Sequence, residues 1–158
     1  MRATADLYDD HEGDVDTCSV LFRDFGSRRS FCGPVRTVKC LNDNSLLREL
    51  LNEPGKGAVI VVDGVGSTER ALLGDVLAAR GAANGWSGIL IYGVIRDSAE
   101  IAGIDLGVKA LGTNPAKSVK AGQGTVDCAV EFGGVRFVPG SWVYCDEDGV
   151  LMSPTAIE

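Results

Sequence analysis

The chain has 158 residues, with 15 Lys and Arg against 22 Asp and Glu, a formal net charge of −7, and 45% hydrophobic against 23% charged residues. That length suits one domain with a core of its own, and that balance excludes a disordered chain. The longest apolar runs, Ala58 to Val62 and Ile89 to Ile95, fall far short of the roughly 18 residues that span a bilayer, and no Lys/Arg cluster beyond Arg28-Arg29 could follow a phosphate backbone, so neither a membrane nor a nucleic acid is an expected partner.

The first twenty residues carry Asp6, Asp9, Asp10, Glu12, Asp14 and Asp16, the opposite of a basic leader, which makes a cytoplasmic location the expectation. His11, the single histidine, has no nucleophile near it in sequence and suits a surface or capping position. Cys18, Cys32, Cys40, Cys128 and Cys145 are odd in number and never spaced C-x-x-C, so they read as reduced, mostly buried thiols. Asp43 or Asn44 can cap a helix that carries Leu46, Leu47, Leu50 and Leu51 and stops at Pro54-Gly55. Ala58 to Val62 is β-branched and uncharged, a strand buried on both faces.

Asp63-Gly-Val-Gly-Ser-Thr68 follows that strand and invites a dinucleotide reading, but the third glycine of G-x-G-x-x-G falls at Glu69, whose carboxylate repels phosphate. A tight structural loop is the better expectation than a nucleotide or S-adenosylmethionine site. A second helix is expected from Gly74 to Asn84, with Gly85 as its left-handed stop, followed by a second buried strand over Gly88 to Gly93. Strand, helix and strand in this space make a βαβ unit with parallel strands. A short helix at Ser98 to Ala102 and a strand at Val108 to Leu111 extend the pattern. Short strands at Val126 to Phe132, Val135 to Val138, Ser141 to Cys145 and Gly149 to Met152, parted by Gly133-Gly134, Pro139-Gly140 and a solvated Asp146-Glu147-Asp148 turn, make the last third antiparallel. Trp86 and Trp142 suit core or subunit-contact positions, and no role is assigned to Lys117 or Lys120. The sum is one compact three-layer α/β domain over residues 1–158.

Two segments could carry chemistry. Ala71 to Ala79 looks helical throughout, yet Gly74 interrupts it at a cost of about 1 kcal/mol against Ala. If the regular helix starts there, the amides of Gly74, Asp75, Val76 and Leu77 are free to hold an anion and Asp75 complements the dipole. A helix start without ligand is the alternative. Arg96-Asp97 ends the second strand, where open α/β sheets bind ligands. Arg96 offers a two-pronged grip on a keto acid and Asp97 a hard oxygen for Mg²⁺ or Mn²⁺. The alternative there is an exposed pair with Asp97 as the N-cap of the next helix.

Gly74-Asp75, twenty residues, then Arg96-Asp97 and Glu100 form the pattern G-D/E, x20, R-D-x-x-E/D, by which the chain resembles the RraA-like family, regulators of ribonuclease activity A and 4-hydroxy-4-methyl-2-oxoglutarate aldolases. Phe22-Arg-Asp-Phe-Gly26, Phe31-Cys-Gly-Pro34, Thr37-Val-Lys-Cys40, Val62-Asp-Gly64, Leu111-Gly-Thr-Asn-Pro115 and Phe132-Gly-Gly-Val135 extend the likeness over nearly the whole chain. The resemblance implies a three-layer β/β/α swivelling-domain-like fold, a homotrimer or a pair of stacked trimers with sites at subunit clefts, and a metal-dependent aldolase that also decarboxylates oxaloacetate. It further implies that the Gly74 to Leu77 amides bind the substrate carboxylate, that Arg96 holds carboxylate and keto oxygens, that Asp97 carries the metal partly through water, and that Asp75 positions a proton-moving water. Longer aldolases of the family place an acidic residue from a C-terminal extension in a neighbour's site, and no residue here is assigned that part. Other members bind ribonuclease E as non-enzymatic regulators and lack the acid after the arginine, so Asp97 favours the enzyme. A methyltransferase label also used in the family finds no cofactor loop of the needed form.

Overall fold

A computed structural model describes residues 1–158. Its backbone of parallel strands alternates with helices: β3 (Phe31–Lys39), α2 (Ser45–Leu51), β4 (Val59–Asp63), β5 (Ala71–Leu73), α3 (Asp75–Ala83), β6 (Gly88–Ile95), α4 (Ser98–Ile101) and β7 (Gly107–Thr113). Before them lie α1 (Thr4–Asp10) and the two-residue strands β1 (Asp16–Thr17) and β2 (Arg23–Asp24). After them come β8 (Thr125–Val126), β9 (Val130–Phe132), β10 (Val135–Phe137), β11 (Trp142–Asp146) and β12 (Gly149–Ser153). The order across the main sheet is β1-β12-β11-β3-β4-β6-β7-β2, with β3, β4, β6 and β7 mutually parallel.

Val59 to Val62 of β4 and the whole of β6 are uncharged because both faces are covered. Ile60, Val62, Ile89 and Ile91 point to one side, where Leu47, Leu50 and Leu51 of α2, Ala78 of α3 and Ile101 of α4 complete a core of twenty buried residues. Val59, Val61 and Leu90 point to the other, against Val130 and Phe132 of β9, Val135 and Phe137 of β10, and Val143 of β11. Helices, parallel sheet and antiparallel strands are therefore three layers, the β/β/α arrangement expected. The helix after β5 ends at Ala83 with Asn84 as its C-cap, and Gly85 follows at φ +79°, the left-handed stop foreseen. Trp86 is buried in the core and donates its ring N–H to Glu53 O, whereas Trp142 is only half-buried.

Four elements differ from the sequence expectation. The strand β3 was hidden by Gly33, Pro34, Arg36 and Lys39, yet it joins both halves of the sheet. Phe31 to Pro34 pair antiparallel with β11, and Val35 to Lys39 pair parallel with β4. Pro34, which has no N–H to give, sits where the strand changes partners. The expected strand Val126 to Phe132 is two: Thr125 and Val126 pair with β3, and Val130 to Phe132 pair with β10. Asp127 separates them at φ +58°, its carboxylate gripped by Arg36 Nε and Nη2 at 2.7 and 2.8 Å. Ala71 to Leu73, helical in appearance, is the short strand β5 beside β6. The α1 helix also has no counterpart in the sequence reading, and His11 closes it as the C-cap.

Candidate functional site

The carboxyl ends of β5 and β6 are neighbours, Leu73 opposite Ile95, so the residues that follow each strand are brought together by register alone. Gly74, in extended backbone, is the N-cap of α3, which begins at Asp75 where the sequence placed a helix start. Arg96 N–H donates to Leu73 O at 2.9 Å and locks the two strand ends. Gly74, Asp75, Val76, Leu77, Arg96 and Asp97 all border one cavity of about 200 Å³.

Asp97 occupies the N-cap position of α4 but makes no capping bond to it. Its backbone is left-handed at φ +54°, a region Asp tolerates better than most residues, and its side chain turns back to α3. There Asp75 N–H donates to Asp97 Oδ2 at 3.2 Å, and Arg96 Nε lies 3.8 Å from the same oxygen, too far for a hydrogen bond. Asp97 is thus neither a helix cap nor locked into a tight ion pair. A Cβ on Gly74 would stand 2.7 Å from Asp97 Oδ2, so this closeness requires glycine. The Val76 amide is held by the Asp75 side chain itself, Oδ1 accepting at 2.8 Å. Two of the expected anion-binding amides therefore carry carboxylates of the chain itself.

The donor set bears on the metal expectation. No three His, Cys, Asp or Glu side chains gather anywhere in the chain, so no closed all-protein cage exists. Asp97 Oδ1 accepts no hydrogen bond, and a lone carboxylate beside a substrate pocket is the form in which Mg²⁺ or Mn²⁺, keeping its waters, is usually held. The residues fit such an ion.

The far wall was not foreseen. Asn44, Arg48, Arg80, Lys117, Ser118 and Lys120 line the same cavity. Arg48 stands one helical turn beyond Asn44 on α2, and Arg80 one turn beyond Val76 on α3. Lys117 and Lys120 arrive on the loop after β7, which is pinned by Ser118 Oγ donating to Ala71 O at 2.7 Å and by Val119 N–H donating to Asn42 O at 2.9 Å. Asp43 anchors that loop more firmly. Its Oδ1 accepts from Ser45 N and Oγ, its Oδ2 from Ala121 N and Gln123 N. Burial pushes this carboxyl up, but the four hydrogen bonds outweigh burial and hold it at about 2.

The Asp63-Gly-Val-Gly-Ser-Thr68 loop is structural. Asp63 Oδ1 accepts from Val65 N, Gly66 N–H donates to Tyr92 O, and Val65 is driven to φ +59°, a strained conformation for a β-branched residue. The chain leaving it enters β5, not a helix, so no helix end faces the loop to bind a pyrophosphate. Of the cysteines, Cys40 and Cys145 are buried, and burial pushes the Cys40 thiol up to about 12; Cys128 is exposed.

Comparison with known proteins gives consistent relatives. The RraA-like family, described as Aldolase/RraA, matches residues 4–152. A Geobacillus kaustophilus structure described as S-adenosylmethionine:2-dimethylmenaquinone methyltransferase is 46% identical, over 99% of this chain and 97% of that one, with a TM-score of 0.97. The RNA-processing inhibitor RraA from Thermus thermophilus is 40% identical, over 100% of this chain and 96% of that one, with a TM-score of 0.96. Streptomyces coelicolor RraAS2, described as an unusual member of the RNase ES inhibitor RraA family, is 28% identical over 87% of this chain and 72% of that one, at a TM-score of 0.74.

Proposed function

Because this chain belongs to the RraA-like (Aldolase/RraA) family, we propose that it is a divalent-metal-dependent lyase, which cleaves 4-hydroxy-4-methyl-2-oxoglutarate to pyruvate and decarboxylates oxaloacetate. The observation that carries this reading is the convergence of Arg96, Asp97 and the α3 N-terminus on one cavity. Both reactions expel a fragment and leave pyruvate enolate, so the residues must meet a negative charge that grows during the reaction. Arg96 grips the carboxylate and keto oxygens of the pyruvoyl end. The amides of Gly74 to Leu77 take the carboxylate, replacing the Asp97 and Asp75 oxygens that rest on two of them. Asp75 orients a water that moves protons to and from the reacting carbon and hydroxyl. Asp97 would hold Mg²⁺ or Mn²⁺, which when bound supplies Lewis-acid stabilisation of charge at the keto oxygen.

Val76 and Val119 stand exposed beside this cavity, and Leu21 is exposed elsewhere, apolar surface that suits assembly as a homotrimer or stacked trimers with the cavity at a subunit cleft. No helix is long and apolar enough to cross a membrane, in keeping with a cytoplasmic site of action.

An assay of pyruvate release from oxaloacetate, with Mg²⁺ or Mn²⁺ and with chelator, tests the reading. Chelator-sensitive turnover that falls about a hundred- to a thousandfold in Arg96→Ala or Asp97→Ala is expected. Turnover indifferent to chelator, or none, rejects it. A second reading is favoured by the likeness to the Thermus thermophilus RNA-processing inhibitor: a regulator that binds a ribonuclease E-type protein. Retention of the chain on a ribonuclease E scaffold region, coupled with no lyase activity, is the outcome that selects it.

A further inference from the structure

The two groups that are to grip a substrate carboxylate already face a carboxylate of the chain itself. Asp75 N–H donates to Asp97 Oδ2 at 3.2 Å, and Arg96 Nε lies 3.8 Å from the same oxygen. One oxygen of Asp97 therefore stands where the helix amide and the guanidinium converge. A Cβ on Gly74 would come within 2.7 Å of that oxygen, so the glycine leaves the room the carboxylate uses. Only one other acid lines the cavity, Asp75, and its Oδ1 is turned onto the neighbouring Val76 amide at 2.8 Å.

This placement of Asp97 is not the one local structure favours. The residue holds the N-cap position of α4, where an aspartate ordinarily accepts a hydrogen bond from the first helical amides, yet its side chain makes no such bond. Its backbone is left-handed at φ +54°, a conformation that costs a residue with a Cβ. What it makes instead is a single, long hydrogen bond. A carboxylate that forgoes its cap for one weak contact has other arrangements close to it in energy, which is the property of a switch.

We propose that Asp97 is an autoinhibitory plug on the N-terminus of α3, released when its carboxylate engages a divalent cation, so that cation and keto acid bind with positive coupling. The proposal rests on the lyase reading for the identity of the ion and the acid, and adds its regulation: without the ion, the anion site is closed by the residue that is to hold the ion. A carboxylate engaged by Mg²⁺ or Mn²⁺ is a poorer acceptor for Asp75 N–H, which leaves that amide and Arg96 to the substrate. Such coupling is reciprocal, so the keto acid tightens the ion by the same factor.

Binding measured without turnover tests this. Calorimetric titration of the full chain with pyruvate should show about tenfold tighter binding in saturating Mg²⁺ than in chelator, the scale of one charge-assisted hydrogen bond. The variants are compared in chelator. There, Asp97→Ala and Asp97→Gly should bind pyruvate about tenfold more tightly than the native chain, whereas loss of a residue that only holds the ion leaves metal-free affinity unchanged. Asp97→Asn, which removes the charge but keeps an oxygen able to rest on Asp75 N–H, should gain less than Asp97→Ala. Glycine suits the left-handed backbone, so Asp97→Gly carries the test if a circular dichroism melt shows Asp97→Ala unfolded. In the native chain the Asp75 amide resonance should move when Mg²⁺ is added without pyruvate. No gain in the alanine and glycine variants, or an equal gain in Asp97→Asn, overturns the plug; an Asp75 resonance unmoved by Mg²⁺ overturns the coupling. Tighter metal-free binding in a chain that never cleaves oxaloacetate ends the lyase reading and leaves the plug standing. Chelator-sensitive turnover with no such gain ends the plug and leaves the lyase standing.

Discussion

Two carboxylates, one lining the cavity and one anchoring the loop that brings Lys120 to it, show how differently one residue type is used. Asp43 is buried and takes four hydrogen bonds, which join the start of α2 to the loop carrying Lys120. Asp97 is partly exposed, takes one amide at 3.2 Å, leaves one oxygen free, and sits on a left-handed backbone. The first is saturated and so can only hold structure. The second keeps coordination capacity in reserve, and an unsaturated acid in a pocket is available for chemistry.

The sharpest way to test this contrast is to change each in turn. Asp97→Ala should lower oxaloacetate turnover by a hundredfold or more and leave the melting temperature almost unmoved, since little folded-state bonding is lost. Gly74→Ala should follow. Its Cβ would force Asp97 Oδ2 aside from 2.7 Å, and a misplacement of that order reduces turnover by up to about a hundredfold, with stability again little changed. Asp43→Asn should reverse the pattern. The amide NH₂ would face the Ala121 and Gln123 N–H groups, and a loss of about 2 kcal/mol in a denaturant titration is expected. Activity should suffer there mainly through a raised KM, because the Lys120 loop loosens.

The smallest effect is that of acid. The Asp43 carboxyl is depressed in the folded state to about 2 from an ordinary 3.8, so its contribution to stability is fully present above that ordinary value. It should fade as pH falls from there through about 2. Unfolding midpoints measured between pH 5 and pH 2 should decline in the native chain and decline less in Asp43→Asn.

Much of this contrast could be read from local pattern. Ala58 to Val62 and Gly88 to Gly93 declare buried parallel strands by their lack of charge, and the glycine at 74 marks a helix start because a helix interior disfavours it. Strand, helix and strand then place Gly74-Asp75 beside Arg96-Asp97 without any coordinates. The β3 strand was illegible for an equally physical reason: a proline and glycine inside nine residues contradict a central strand unless the strand changes sheets midway.

What lay beyond any local reading was the basic wall. Arg48 looks like a solvated helix residue, and Lys117 and Lys120 like loop charges, until β5, β7 and the Asp43 anchor fold their segments around one cavity. Period and composition are properties of neighbouring residues, and they determined the layers, the strand directions and the corner of the cavity where Gly74-Asp75 meets Arg96-Asp97. Charge density in a pocket sums over segments distant in the chain, so only the tertiary structure decided how many cations meet there and that Asn44 Oδ1 is buried beside them without a hydrogen bond.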